Sequence, residues 1–394
     1  MIGIAVLAVA YVISHFYRSF LAVMSPVLSN EMAISPAQLS DALGGWFVAF
    51  ALSQFLVGVM LDRFGPRRTT AGLWAVFAGG GGLLFAMAQS YWVVFLAMVF
   101  LGIGCAPILM ASLYIFKRSY DPKKFAMLAS AFIGFGLFGN ILGSSPLALA
   151  LDWLGWRGVL VALSLTTILL AILVIVFVED PQSLRQDNAA SGSYRDVLRV
   201  SGIWLILPLV FFNYALSGGL RGIWSGPYLD LVHGMDAAGI GTVTLAMALA
   251  MAVGSFVYGP LDQIFGSRKW VVAGGGSLAL SSLIYWTLFP PEQAWGVAFI
   301  LVMIGLFAMS YGVLMAHATA NIPAHLAGRG LTLVNFFNMG GVGIMQWVTA
   351  QVYRQSETAG EPLIGFQAVL WTYIAGYGFA YALYLFSKDA APNK

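Results

Sequence analysis

Charge is scarce in this chain of 394 residues: only 9% is Asp, Glu, Lys or Arg, while 60% is apolar. Soluble domains carry about 25% charged residues, so a water-soluble fold is excluded, and no nucleic acid is expected as a partner. Cysteine is nearly absent. The single Cys105 rules out an internal disulfide and any cysteine-based metal cluster. Acidic residues avoid the middle of every apolar run, and Asp41 and Asp230 stand only at the outer ends. No glycine run leads into a Walker lysine, so no phosphate loop is present. No nucleophile–base pair, paired carboxylates or metal-ligand cluster lies in or near the apolar runs. That speaks against an enzyme, and no cofactor is implied. No Lys or Arg precedes the first apolar run and no small-residue cleavage site follows it. It is therefore expected to be a retained span and not a signal peptide.

What is present is a series of long apolar runs. A span takes roughly 20 mostly apolar residues. Twelve are expected, at 2–29, 41–61, 69–88, 91–115, 125–151, 157–178, 202–230, 238–259, 269–289, 294–316, 328–353 and 364–386. They must be helices, because lipid leaves no free backbone group satisfied. The polar stretch Glu179–Arg199 separates the sixth span from the seventh. This divides the chain into an N-terminal six-helix bundle (1–180), a cytoplasmic linker (181–200) and a C-terminal six-helix bundle (201–394). One set of connections holds Arg63, Arg67, Arg68, Lys117, Arg118, Lys123, Lys124, Arg185, Arg195, Arg199, Arg268, Lys269, Arg329, Lys388 and Lys394. The other set is nearly free of basic residues. The positive-inside rule places both termini in the cytoplasm, and the expected location is a bacterial-type inner membrane.

The two halves repeat one loop. GVMLDRFGPRR (Gly58–Arg68) follows the second span and GPLDQIFGSRK (Gly259–Lys269) follows the eighth, with Asp62 and Asp262 200 residues apart. A parallel repeat of this kind underlies one large transporter architecture. The first copy resembles the G-x-x-x-D-R-x-G-R-R loop of the major facilitator superfamily, matching at Gly58, Asp62, Arg63, Gly65, Arg67 and Arg68, with Pro66 where a basic residue is usual. The second copy has Gln263 in place of the Arg and one extra residue before Gly266. The resemblance spans the whole chain. It implies an all-α polytopic membrane protein of twelve transmembrane helices in two six-helix bundles related by a pseudo-two-fold axis, working as a secondary transporter. It also implies a gating role for Asp62, Arg63, Gly65, Arg67, Arg68, Asp262 and Arg268. Plain helix caps and orientation signals are the alternative for these residues.

Two basic residues lie well inside spans, Arg18 and Arg221. A charge inside a membrane costs several kcal/mol unless it faces a partner or a cavity. Helical spacing puts Tyr11, His15, Arg18, Ala22 and Ser25 on one face of the first span. It puts Tyr214, Ser217, Arg221, Trp224 and Tyr228 on one face of the seventh. The resemblance implies that both spans line a central cavity, where two guanidinium groups would converge with no buried carboxylate to neutralise them. Such a site asks for an anion, since Arg binds carboxylate or phosphate bidentately. The run from Tyr11 to Pro26 is also similar to the first span of organophosphate and organic-anion transporters of that superfamily. Arg221 departs from their second-half arginine by about one turn. Snorkelling is the plain alternative, although from Arg18 the nearest end is about ten residues off, or ~15 Å.

The expected substrate is therefore a small organic anion, bound by Arg18, Arg221, Tyr11, His15, Tyr214, Asn213, Trp224, Asn335 and Asn338. Gln54, Asn140 and Gln346 serve equally as ligand contacts or as helix glue. Trp224 fits an outer aromatic belt as well. His15 is the only mid-span group with an ordinary pKa near neutrality, so proton symport through His15 stands beside anion exchange. Three other readings are open. Multidrug or metabolite efflux is disfavoured because span five, Gly136–Ala150, fits the antiporter glycine–proline motif poorly. A copper or other metal importer rests on Met247 and Met251 at one helical face. A non-transporting solute sensor lacks any extra cytoplasmic domain. Lipid and the transported solute are the expected partners, and a monomer the expected state.

Overall fold

The computed structural model describes residues 2–181, 194–200, 202–320, 322–323, 326–357 and 362–390. Most of the 181–200 linker, together with Arg185 and Lys394, lies outside these residues. Nearly all of the described chain is helical. Helix α1 is a bent pair, Ile2–Phe16 and Leu21–Met32, with a 50° angle between its pieces. The run Pro36–Ala86 holds two crossings divided at Gly65 (φ 80°), α2 (36–64) and α3 (66–86). Then come α4 (Tyr91–Ser119), α5 (122–154, in three pieces) and α6 (156–177), the last two separated at Gly155 (φ 63°). The second set is α7 (Ile203–His233), α8 (Ala237–Phe265), α9 (Arg268–Leu288), α10 (Ala294–Thr319), α11 (Ala327–Glu357) and α12 (Pro362–Leu385).

Each expected span thus has its helix. By length and apolarity alone eight described helical runs could cross a bilayer, or nine with the bent α1. The lower figure arises because α2 and α3 form one run, α5 is broken, and α11 carries Asn335, Asn338 and Gln346. Contacts between residues divide the chain into two compact units, 1–184 with 236–242 and 185–235 with 243–394.

Local chemistry explains the helix ends. Ser35 caps α2: its hydroxyl accepts from the Gln38 N–H while the Gln38 side chain accepts from the Ser35 N–H, and Pro36 fills the first helical position. Pro26 cannot donate to the Ala22 carbonyl. The Ser25 hydroxyl donates to that carbonyl instead, at 2.8 Å, so the second piece of α1 continues through the proline.

Small residues set the closest helix approaches. A Cβ at Gly139 of α5 would strike the Val12 carbonyl oxygen of α1. In the second unit a Cβ at Gly341 of α11 would strike the Phe211 carbonyl oxygen of α7. In both places the backbones themselves touch, as small residues permit between membrane helices.

Candidate functional site

In the first unit the arginine of α1 sits at the bend. Between Phe16 and Leu21 the backbone tightens: Arg18 N–H donates to the His15 carbonyl and Ser19 N–H to the Phe16 carbonyl, both three residues back. The Ser19 hydroxyl also donates to the His15 and Phe16 carbonyls, at 3.2 and 3.3 Å. A side chain inserted into the ladder is a recognised cause of a kink. The Arg18 side chain is only 6% exposed. Its guanidinium carbon lies 4.9 Å from the Phe50 ring centre and 5.4 Å from that of Trp46, both on α2. Those two rings are themselves stacked, 5.1 Å apart at 12°. Arg18 Nη2 donates to Ser14 Oγ at 3.4 Å, while its Nε–H has no acceptor among the described residues. No described carboxylate pairs with it.

The face drawn for α1 from its spacing divides at this bend. Tyr11 and His15 meet each other edge to face at 4.5 Å, and His15 Nδ1 lies 3.2 Å from the Tyr11 carbonyl. Both pack on α5, Tyr11 against Phe132 and Gly136, His15 against Gly136 and Gly139. Arg18 turns to α2 instead. Gln54 and Asn140 are buried in the same unit.

In the second unit Arg221 is 3% exposed and lies in a π-helical stretch, Leu220–Trp224. Such widened turns often mark functional positions. The extra residue shifts the face, so the residues beyond it do not follow the 3.6-residue spacing. Trp224 Nε1 donates to Thr349 Oγ1 of α11 at 3.1 Å, and its ring packs on Tyr353 and Phe366. Asn213 Nδ2 donates to Ser310 of α10 at 3.1 Å, and Tyr311 Oη donates to Asn335 Oδ1 at 3.2 Å. These three candidates are bonded within their own unit. Tyr214 packs beside Gly218 on α7, and Asn338 is buried with its Oδ1 unpartnered among the described residues. Met247 and Met251 are buried, with their side-chain carbons against the Gly305 position.

The repeated loops reveal a second device. Gly65 takes a positive φ that favours glycine, and a Cβ there would lie 2.8 Å from the Asp180 carboxylate. Asp180, just past α6, accepts from the Arg67 N–H at 2.8 Å, in the first turn of α3. The second unit repeats this at α9. Asp389, just past α12, accepts from the Lys269 N–H at 2.9 Å and from the Ser267 hydroxyl at 2.5 Å. Asp262 pairs with Arg268 at 3.3 Å. Asp62, Arg63 and Arg68 are exposed, the Arg63 guanidinium lying over the Phe64 ring. Burial pushes the Asp389 carboxyl up, but the Ser267 hydroxyl, the Lys269 and Ala390 N–H groups and the nearby His317 ring outweigh it and hold it below its ordinary value.

The sequence profile described as Major Facilitator Superfamily matches residues 7–345. The chain belongs to the major facilitator superfamily. It is 24% identical over 288 residues to the "Probable L-galactonate transporter" of Escherichia coli, covering 68% of this chain and 61% of that protein. It therefore spans less than two thirds of that relative's length. It is 24% identical over 332 residues to the cis,cis-muconate transport protein of Acinetobacter baylyi, covering 77% and 76%. In fold it is similar to a bacterial homologue of the lysosomal transporter Spinster in an inward-facing, occupied conformation. The TM-score there is 0.76 at 18% identity, covering 97% of this chain and 95% of that one.

As a superfamily member the chain is a multi-pass membrane protein, and the relatives it matches carry transporter names. Reading the sequence missed four residues: Asp180, Asp389, Trp46 and Phe50. For the two aspartates a signal existed, an acidic residue a few positions past the last apolar residue of the sixth and twelfth spans. Trp46 and Phe50 gave none, since aromatic residues four apart in an apolar helix read as core.

Proposed function

We propose that this superfamily transporter carries a small organic anion, with a carboxylate as the recognised group, across the inner membrane, both termini lying in the cytoplasm. The observation that carries the proposal is Arg18: a buried guanidinium resting on two aromatic rings, with no described carboxylate paired to it and one N–H left without an acceptor. A buried charge left in this way is costly, and an incoming anion relieves the cost. Arg221 on α7 is the second recognition group, with Tyr214 and Asn338 as neutral contacts in that unit. The names of the relatives, transporters of L-galactonate and cis,cis-muconate, favour organic acids as the class. Transport proceeds by alternating access, the general mode of this architecture, and the loops around Asp62 and Asp262 act as its cytoplasmic gates.

Proton symport through His15 is the coupling reading, since His15 lies three residues from Arg18 and beside Tyr11. Anion exchange is the second reading, favoured by the absence of any acidic residue at a span centre. The test is uptake into proteoliposomes of L-galactonate, cis,cis-muconate, a sugar phosphate and a cationic dye, with internal pH recorded. Anion uptake lost in Arg18→Ala supports the proposal. Dye transport without anion uptake, or full anion uptake by Arg18→Ala, overturns it. A substrate-dependent pH change abolished in His15→Gln supports symport, and uptake that requires a trapped internal anion supports exchange.

A further inference from the structure

Arg18 raises a question that its role as an anion ligand does not answer. A guanidinium with one serine contact and no counter-charge among the described residues should not hold a single orientation, because Arg carries several freely rotating bonds. Yet recognition of a carboxylate by paired N–H groups depends on orientation. The first unit supplies the missing constraint. Trp46 and Phe50 lie one helical turn apart on α2 with their rings nearly parallel, 12° and 5.1 Å apart. The guanidinium carbon lies within 5.4 Å of both ring centres.

Both rings are packed inside the unit. Trp46 is fully buried, and the Phe47 ring meets it edge to face at 4.9 Å. Phe50 is 3% exposed. The rings also differ from a carboxylate in one decisive respect: they hold the cation through the π face without neutralising it. A carboxylate at that place would compete with the substrate for the same N–H groups. An aromatic support leaves the charge and the N–H edge available, and the Nε–H without an acceptor is on that edge.

We infer that Trp46 and Phe50 are positioning residues for substrate recognition: an aromatic seat that orients the Arg18 guanidinium and keeps its charge for the anion. The inference rests on the anion-binding role proposed for Arg18. It assigns to two core-type aromatic residues of the second helix an effect on affinity. It also sets a demand on residue 18 itself. The seat suits a flat, delocalised cation, so a lysine, equal in charge, does not replace the arginine.

The test is the dissociation constant of L-galactonate and of cis,cis-muconate, by calorimetry on the full-length detergent-purified protein, with the apo melting temperature recorded in parallel. The variants are Arg18→Ala, Arg18→Lys, Trp46→Leu, Trp46→Phe and Phe50→Leu. Trp46→Leu and Phe50→Leu are each expected to weaken binding of the anion that wild type takes up by about tenfold. Trp46→Phe should restore most of it, and Arg18→Lys should bind no better than Trp46→Leu. A purely packing role would lower the melting temperature while leaving the dissociation constant of the folded fraction unchanged, and that result overturns the seat. Arg18→Lys binding as tightly as wild type overturns it as well. If Trp46→Leu does not fold, Phe50→Leu and Trp46→Phe decide the matter, since both keep apolar volume close to the original. Failure of the anion proposal is distinguishable: then Arg18→Ala itself binds as wild type does, or wild type binds neither probe.

Discussion

Helices α1 and α7 open the two halves of a repeat and treat an arginine in opposite ways. In α1 the backbone tightens to three-residue hydrogen bonds at Arg18 and the helix bends by 50°. In α7 it widens into a π-helical stretch that carries Arg221. The packing beneath them is the same in both halves. Gly139 admits the Val12 carbonyl of α1 and Gly341 admits the Phe211 carbonyl of α7. The repeat has kept its backbone-to-backbone contact while the positions that bear charge have diverged. A contact with no side chain between two backbones tolerates nothing larger, whereas a buried cation accepts more than one local geometry.

The largest expected effect breaks the two arginines apart. Arg18→Ala should reduce anion affinity by about 100-fold, because removal of a desolvated charge costs the substrate its partner. Arg221→Ala should cost about tenfold, in keeping with its shifted position. Equal losses in an uptake assay would mean that the two geometries are equivalent. Next in size is the shared contact. Gly139→Ala and Gly341→Ala should each destabilise the protein by about 1–3 kcal/mol, since a methyl group is driven into a carbonyl oxygen. Denaturation in detergent measures this, and a neutral Gly341→Ala would end the equivalence of the two helix pairs.

The caps give a smaller effect, readable by pH. The Asp389 carboxyl has a folded-state pKa below its ordinary value. Its stabilisation is therefore complete above the ordinary carboxylate value, about 3.9, and is lost as pH falls through the lower folded value. Asp389→Asn should lower the melting temperature at neutral pH, and the gap from wild type should close only in strong acid. A gap that stays constant with pH would show that charge plays no part. Asp180→Asn should produce a similar neutral-pH loss at the first loop, worth a few tenths to about 1 kcal/mol for an exposed cap. Ser25→Ala, which strands the Ala22 carbonyl beside Pro26, should have an effect of the same order as the caps, about 0.5–1.5 kcal/mol in the same denaturation measurement.

The architecture was legible because its signals are long. Twelve apolar runs, one-sided basic loops and a doubled Gly–Asp–Gly–basic motif each draw on many residues. The candidate site was legible only where a residue is rare in its setting, as Arg18 and Arg221 are. The division of the α1 face was hidden, because a bend made by the Ser19 hydroxyl leaves the apolar spacing intact. Trp224 was placed with Arg221 by a regular period that the π-helical stretch interrupts. Asp180 and Asp389 act across more than a hundred residues, on Arg67 and Lys269, and no local pattern joins them. The paired glycine contacts were visible as small residues, but not as partners of particular carbonyls.

The contact between Gly139 and Val12 also has a meaning in time. Helices enter the membrane in order of synthesis, so α1 is inserted long before α5 is made. Until α5 arrives, Tyr11 and His15 lack the surface that covers them, and their polar groups face lipid or whatever protein attends the growing chain. A ribosome stalled after α4 would leave a first half with four helices made and the Tyr11–His15 face of α1 uncovered. Newly made chains of this kind are ones a membrane chaperone or protease would be expected to hold first, with α1 as the place to look for a crosslink.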